Sequence, residues 1–414
     1  MTDRLVITGM GAITPVGNDV KSYWQALLNG TSGVGELSRF NPRKLPIKIA
    51  AEIRDFNAEE ILPKSVIRST SPFIHYALSA AEEAIKMAQA DKIVQKDTVG
   101  LCMGSAMGGM AQMSLAGACF EESHTGKISP HLVPGAIANM ACSHLSIAHG
   151  FHGPGLTVST ACSAGNDAII AAAMLILAGD ADAVVVMGGE SILAPAIVSS
   201  LAQARALTRD NENPAQASRP FDLQRSGFVI GEGGGAIVLE REKAARERGV
   251  PILAELVGWG NTMDTYHITA PDPEGNSTAL CMEKAMKRAK IAPEDIDYIN
   301  AHGTSTKLGD LAETAAMKKA FKGAPPPVSS TKGATGHLMG AGGLTELIAC
   351  IKGIEEGIAP PTINLQFPDP ECDLDYIPQN PRKMPINIAM SNSIGFGGQN
   401  SSLIVARYAQ EEHI

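Results

Sequence analysis

Short β-rich runs alternate with alanine-rich helical stretches along all 414 residues, and that alternation admits few architectures other than α/β. Strands are predicted at 4–9, 98–103, 156–160, 183–188, 235–240, 253–258, 296–301, 328–331, 386–391 and 402–407. Helices are predicted at 19–29, 71–90, 163–178, 276–290, 310–320 and 341–356. The last is marked by Leu344, Leu347, Ile348 and Ile351 at i, i+3, i+4 and i+7. The segments 1–250 and 251–414 each open with a strand ending in Gly-x-Gly, at Gly9-Met10-Gly11 and Gly258-Trp259-Gly260. This suggests two duplicated α/β halves, the first carrying Cys162 and the second carrying His302 and His337.

Bulk properties exclude several classes. A net charge of −9, from 34 basic and 43 acidic residues, lacks the basic footprint of general nucleic-acid binding. The seven cysteines are scattered, odd in number and never form CxxC, which points to reduced thiols in a cytosol-like compartment. Met1 leads directly into the strand-like Leu5-Val6-Ile7 with no secretory signature. The longest apolar run, Ala168 to Ala178, is too short to span a bilayer. A soluble cytoplasmic protein is expected.

Four tempting motifs fail. Gly9-x-Gly11 resembles a dinucleotide turn, but Thr14 stands at the third glycine and Pro15 delays the helix. Gly126-Lys127 lacks the Ser/Thr and upstream glycine of a phosphate loop. Cys142, His144, His149 and His152 give no closed zinc spacing, so no metal site is assigned. Ser329-Ser330-Thr331-Lys332 matches S-x-x-K, yet Lys332 is expected at a strand end rather than on a helix, and no K-T-G follows.

Four further segments share one layout, a strand followed by a turn with a reactive group. The first ends Thr160-Ala161-Cys162 and runs into an Ala/Ile helix, where dipole and free amides favour a thiolate. The second is Ala301-His302-Gly303-Thr304-Ser305-Thr306, with Asp310 beyond it. The third is Thr331-Lys332 through Gly336-His337, before a helix carrying Glu346. The fourth is Gly395-Phe396-Gly397-Gly398, whose backbone N–H groups can face a developing oxyanion. Together they supply a thiol nucleophile, two histidines, a lysine and an amide-rich loop, the set that acyl transfer needs.

Cys162, HGTST at 302–306, TKGATGH at 331–337 and GFGG at 395–398, in this order, closely resemble the elongating Cys-His-His β-ketoacyl-ACP synthases. The resemblance runs from VITGMGAITPVGN through Ser218-Arg-Pro-Phe-Asp222 to the glycine loop. It implies a thiolase-like fold, a layered αβαβα core of duplicated halves, working as a dimer. It further implies decarboxylative condensation of malonyl-ACP with an acyl group carried on Cys162, without a cofactor beyond the phosphopantetheine arm of acyl-carrier protein. By motif, Cys162 and Phe396 supply the oxyanion hole, His302 and His337 bind the malonyl thioester, and Lys332 with Glu346 and Asp310 supports them. Thr269, Thr304 and Thr306 correspond to the hydroxyls that hold the phosphopantetheine arm, and Met107 to a residue lining the acyl pocket. Lys64, Arg68, Lys127, Arg205 and Arg209 correspond to carrier-docking positions. Met107 is bulkier than usual there, the stretch 67–73 departs from the usual helix start, and Gln399 replaces His or Thr. These departures leave open a ketosynthase of a type II polyketide or polyene pathway, paired with a chain-length-factor-like subunit. An inactive partner subunit is disfavoured, because such partners lose the nucleophile.

Overall fold

The computed structural model describes residues 4–123 and 128–409. Ten strands form one mixed sheet. In chain order these are β1 (Leu5–Ile13), β2 (Val99–Gly104), β3 (Gly155–Val158), β4 (Ala183–Glu190) and β5 (Gly233–Arg241), followed by β6 (Ala254–Met263), β7 (Tyr298–Asn300), β8 (Val328–Ser329), β9 (Ile388–Gly395) and β10 (Gln399–Ala406). The sheet order is β8-β7-β9-β10-β6-β1-β5-β4-β2-β3. Read outward from the centre, both blocks follow the same sequence: first strand, fifth, fourth, second, third. The pairing senses match as well, antiparallel for the inner pairs β1–β5, β5–β4, β6–β10 and β10–β9. They are parallel for the outer pairs β4–β2, β2–β3, β9–β7 and β7–β8. Within the sheet, the blocks meet where β1 pairs with β6, at Val6↔Glu255 and Ile7↔Ala254.

The six labelled helices are α1 (Val20–Leu28), α2 (Pro72–Ala88), α3 (Ala164–Ala178), α4 (Asn276–Ala289), α5 (Lys307–Ala320) and α6 (Gly342–Glu356). Helix α2 covers β1, β5 and β4, while α4 covers β6 and β10 and packs on α5. Helices α3 and α6 pack on each other and touch strands of both blocks. Their side chains share one core with residues of both blocks, including Val184, Val186, Ile237, Leu403 and Val405. The layers are therefore helix, half-sheet, helix, half-sheet, helix, the thiolase-like αβαβα arrangement. A helix in the middle layer must be apolar nearly all round, and Ala168, Ile169, Leu344, Leu347 and Ile351 are fully buried. Each such Leu or Ile contributes about 1.5–3 kcal/mol.

That packing corrects one expectation. The segment Ala161–Ala178 is long and apolar enough to cross a membrane, at 18 residues and mean hydropathy 1.7, but 67% of it is buried. It is a core helix by its packing, not by insufficient length.

The Gly-x-Gly pairs do not end strands as expected; they lie inside β1 and β6. A Cβ on Gly9 or Gly11 would stand 2.1 or 1.9 Å from the carbonyl oxygens of Ala84 or Ala80 on α2. On Gly258 or Gly260 it would stand 2.4 or 2.0 Å from those of Ala285 or Cys281 on α4. In both blocks the glycines let a helix backbone press directly onto the strand, and side chains there would force the layers apart.

Candidate active site

The C-terminal ends of parallel strands in both blocks converge, the usual place for a site in α/β sheets. After β3 the chain turns through Ala161, whose φ of 52° is left-handed for a non-glycine residue. That conformation costs about 1–2 kcal/mol and marks a strained elbow. Cys162 sits on it, at the entry to α3. Behind it, Asp167 accepts hydrogen bonds from Ser163 Oγ at 2.8 Å and Asn261 Nδ2 at 2.7 Å, and also from Thr160 Oγ1.

In the other block, His302 follows β7 and His337 follows the turn after β8. His337 Nε2 lies 3.0 Å from Cys162 Sγ. The rings of His302 and His337 stand edge to face, with centroids 5.3 Å apart at 85°. Burial first, then the charge of Lys332, holds both imidazoles well below their ordinary range, His302 further lowered by His337. Both are therefore neutral near pH 7. Their Nδ1 atoms are buried without a protein partner.

The dipole argument alone anticipates a ready thiolate, and here burial outweighs it. The Cys162 thiol is pushed up to about 12, against the pull of Lys332 and of a hydrogen bond from the Phe396 N–H. At rest the thiol keeps its proton and lies in hydrogen-bond contact with His337 Nε2, the imidazole tautomer setting which of the two donates. Gly395 makes the approach of the glycine loop possible, since a Cβ there would stand 3.1 Å from the Cys162 nitrogen.

Lys332 and Glu346, both buried, form an ion pair behind the histidines. Lys332 does not sit at a strand end, as expected, but opens the one-turn helix Lys332–Thr335. The S-x-x-K pattern still builds no serine nucleophile. Lys332 Nζ is held by Glu346, and Ser329 Oγ is bonded to Tyr298 Oη at 2.7 Å. Asp310 stands apart from that pair. It accepts from Phe221 N at 2.8 Å and Ser305 N at 3.2 Å and faces Arg225 Nε at 3.4 Å. It braces the threonine turn rather than the histidines.

Cys162, His302, His337, Phe396, Thr269, Thr304, Thr306, Met107 and Arg205 all line one cavity of about 450 Å³. Thr306 caps α5, accepting from Gly309 N at 3.2 Å, and its hydroxyl meets that of Thr304 at 3.1 Å. Arg225 ties this turn down by donating to the carbonyls of Thr306 and Lys307 at 3.2 and 3.1 Å. Lys64, Arg68 and Arg209 are exposed outside the cavity, and Lys64 faces Glu59 at 3.5 Å. Lys127 lies outside the described residues.

Three carboxylates and an arginine escaped the sequence analysis. Glu313 accepts from the His302 and Gly303 N–H groups, both at 2.8 Å, and fixes the first histidine. Its signal was available: it opens a stripe with Ala316, Met317 and Ala320 that is otherwise apolar. Glu190, the last residue of an apolar strand, is treated below. Asp167 and Arg225 carried no distinguishing pattern.

The profile of the β-ketoacyl synthase N-terminal domain matches residues 2–245, and that of the C-terminal domain matches 253–366. The chain belongs to the β-ketoacyl synthase family. It is an acyltransferase by that membership. Over 98% of both chains it is 43% identical to 3-oxoacyl-[acyl-carrier-protein] synthase 2 of Coxiella burnetii. It is 41% identical to the Synechocystis sp. protein of that name, again over 98% of both. Among solved structures, a β-ketoacyl synthase from Burkholderia phymatum superimposes with a TM-score of 0.91 at 32% identity, covering 98% of this chain and all of the other. The ishigamide ketosynthase/chain length factor gives 0.91 at 30%, covering 99% and all of the other. A type II polyketide ketosynthase solved with its acyl-carrier protein gives 0.89 at 31%, with the same coverage.

Proposed function

We propose that this chain is a 3-oxoacyl-[acyl-carrier-protein] synthase of fatty-acid synthesis that extends an acyl chain by two carbons. The observation that carries the assignment is a thiol 3.0 Å from one neutral histidine, with a second beside it, in an enclosed cavity.

In the first half-reaction, the Cys162 sulfur attacks the acyl thioester carbonyl and its proton goes to the carrier's departing thiolate. The tetrahedral oxyanion faces the N–H groups of Cys162 and Phe396. The carrier's thiolate leaves, takes up that proton, and the acyl group remains on sulfur. In the second, His302 and His337 donate Nε2–H hydrogen bonds to the malonyl thioester oxygen. The carboxylate C–C bond breaks, CO2 departs and the electron pair becomes the enolate. The enolate carbon attacks the acyl carbonyl and Cys162 sulfur leaves as the thiolate. Neutral histidines suit this step, because they stabilise charge that exists only after decarboxylation begins. Burial, with the charge of Lys332 added, keeps them neutral, and Lys332 is itself held by Glu346. Thr269, Thr304 and Thr306 would hold the phosphopantetheine arm, and Met107 would limit the acyl end. No resident cofactor is required.

The carrier protein would dock at the cavity mouth on Arg205, with Lys64, Arg68, Lys127 and Arg209 around it. A second copy of this chain would pair along edge strand β3, where Leu156 is exposed. The halves 1–250 and 251–414 would derive from duplication, which the shared strand order supports. Seven free cysteines fit a reducing, cytoplasmic setting.

A ketosynthase subunit acting with a chain-length-factor partner is a second reading, favoured by the TM-score of 0.91 to the ishigamide pair. Identities of 43% and 41% to the synthase 2 relatives, against 30% and 31% to the polyketide structures, rank elongation first.

The test combines purified protein with malonyl-carrier protein and acyl-carrier substrates of two to sixteen carbons, followed by mass spectrometry. Expected are acyl adducts on Cys162, absent in Cys162→Ala, and 3-oxoacyl products two carbons longer. A protein that neither acylates nor extends any saturated chain rules out the fatty-acid role.

A further inference from the structure

Glu190 is fully buried at the end of β4, outside the cavity lining. Its Oε1 accepts from Ser105 Oγ at 3.0 Å and Met107 N at 3.2 Å. Its Oε2 accepts from Ala106 N at 2.6 Å and Gly340 N at 3.1 Å. One carboxylate thus clamps two turns from opposite blocks. The turns press so closely that a Cβ on Gly340 would stand 2.4 Å from Ala106 N.

Each turn presents a methionine to the cavity, Met107 from one and Met339 from the other. Both pack in the same apolar cluster as Leu201, against Cys162. Met339 has a φ of 48°, a left-handed backbone that must be held in place from outside, and the next N–H is one that Glu190 receives. Methionine alone specifies shape poorly, because its side chain is unbranched and flexible. A flexible side chain selects chain length only if its backbone is fixed.

We propose that Glu190 is a positioning residue for acyl-chain selection, locking Met107 and Met339 together at the end of the acyl cavity. The inference rests on the condensing-enzyme reading, from which the acyl occupant of the cavity follows. Glu190 touches no reacting atom; its charge helps to push the Cys162 thiol up, and its contacts decide which chain fits.

Replacing Glu190 by Gln keeps the shape but turns an NH2 toward an N–H that needs an acceptor. Losing one acceptor of this buried clamp leaves an N–H unpaired, so the freed turn relaxes and longer chains gain room. The measurement is kcat/KM for sixteen-carbon over six-carbon acyl-carrier protein, in wild type, Glu190→Gln and Ser105→Ala. We expect the ratio to rise about tenfold in Glu190→Gln and less in Ser105→Ala. Iodoacetamide alkylation of Cys162 should not fall in Glu190→Gln, because the charge removed is one that pushes the thiol up. An unchanged ratio, or an equal fall for every chain length, overturns the proposal. If Glu190→Gln fails to fold, the ratio in Ser105→Ala decides. A wild-type protein that extends no chain would instead defeat the proposed function, and the wild-type arm shows that separately.

Discussion

Lys332→Met separates the structural from the electrostatic work of one buried charge. Lys332 and Glu346 are 2% and 3% exposed and pair with each other. Removing the ammonium leaves the carboxylate buried without its counter-charge, which costs about 3–5 kcal/mol. Unfolding entropy near about 2.1 cal/mol/K per residue gives roughly 0.9 kcal/mol/K for this chain, so Tm should fall by about 3–6 °C. Adding Glu346→Gln removes the stranded charge and should recover most of that loss. The thiol behaves differently. Lys332 pulls the Cys162 thiol down, and both variants lack that charge, so ionisation is harder in each. Iodoacetamide alkylation at pH 8 should slow about three- to tenfold in Lys332→Met and recover only in part in the double variant, because Glu346 itself pushes the thiol up. Calorimetry and alkylation rates on the same samples check both parts. If alkylation in the double variant returns fully to the wild-type rate, the lysine charge is not what tunes the thiol. If the single variant melts with wild type, the pair is not the buried contact described.

Wild-type alkylation should rise about tenfold per pH unit from 7 to 9 without levelling, because a thiol near 12 stays mostly protonated throughout; a plateau near pH 8 contradicts the burial argument. Glu313→Gln sacrifices one of two bonds that hold His302 and Gly303, so malonyl-carrier decarboxylation should slow about 10–100-fold while acylation of Cys162 persists. Comparable losses in both half-reactions would show that Glu313 serves the fold rather than the histidine. Gly11→Ala places a Cβ 1.9 Å from the Ala80 carbonyl and should destabilise by about 1–3 kcal/mol or more, read as a lower denaturant midpoint; an unchanged midpoint would mean α2 shifts freely on β1.

All ten strands of the sheet were legible because inner strands are buried on both faces and read as continuous apolar runs, as Ala183 to Met187 does. The helix at 342–356 was legible from its stripe at 344, 347, 348 and 351. The helix Met110–Ser123 was not, since Met110, Met113, Leu115 and Phe120 stay exposed and no polar face opposes an apolar one. Residues 64–69 form too short a helix to show a period. For the site, Cys162, His302 and His337 stood out because reactive side chains at strand ends are rare. Glu190 read as an ordinary charge, because burial depends on which partner packs over it. Cys162 shows a further limit: its helix-start position was legible, but the burial that overrides the dipole comes from residues far away in the sequence.

The arrangement of the two blocks explains how the site is assembled. Cys162 stands between the third strand and the middle-layer helix of its block, and His337 stands between the corresponding strand and helix of the other. The middle helices α3 and α6 pack together, so their preceding turns are brought face to face. The 3.0 Å contact between nucleophile and histidine is then set by the rigid middle layer rather than by a mobile loop. Neither block holds both groups, so the reacting pair forms only when the two pack. Substitutions in the α3–α6 contact should therefore impair acylation and decarboxylation together, while changes at Glu190 or Glu313 act on one function each.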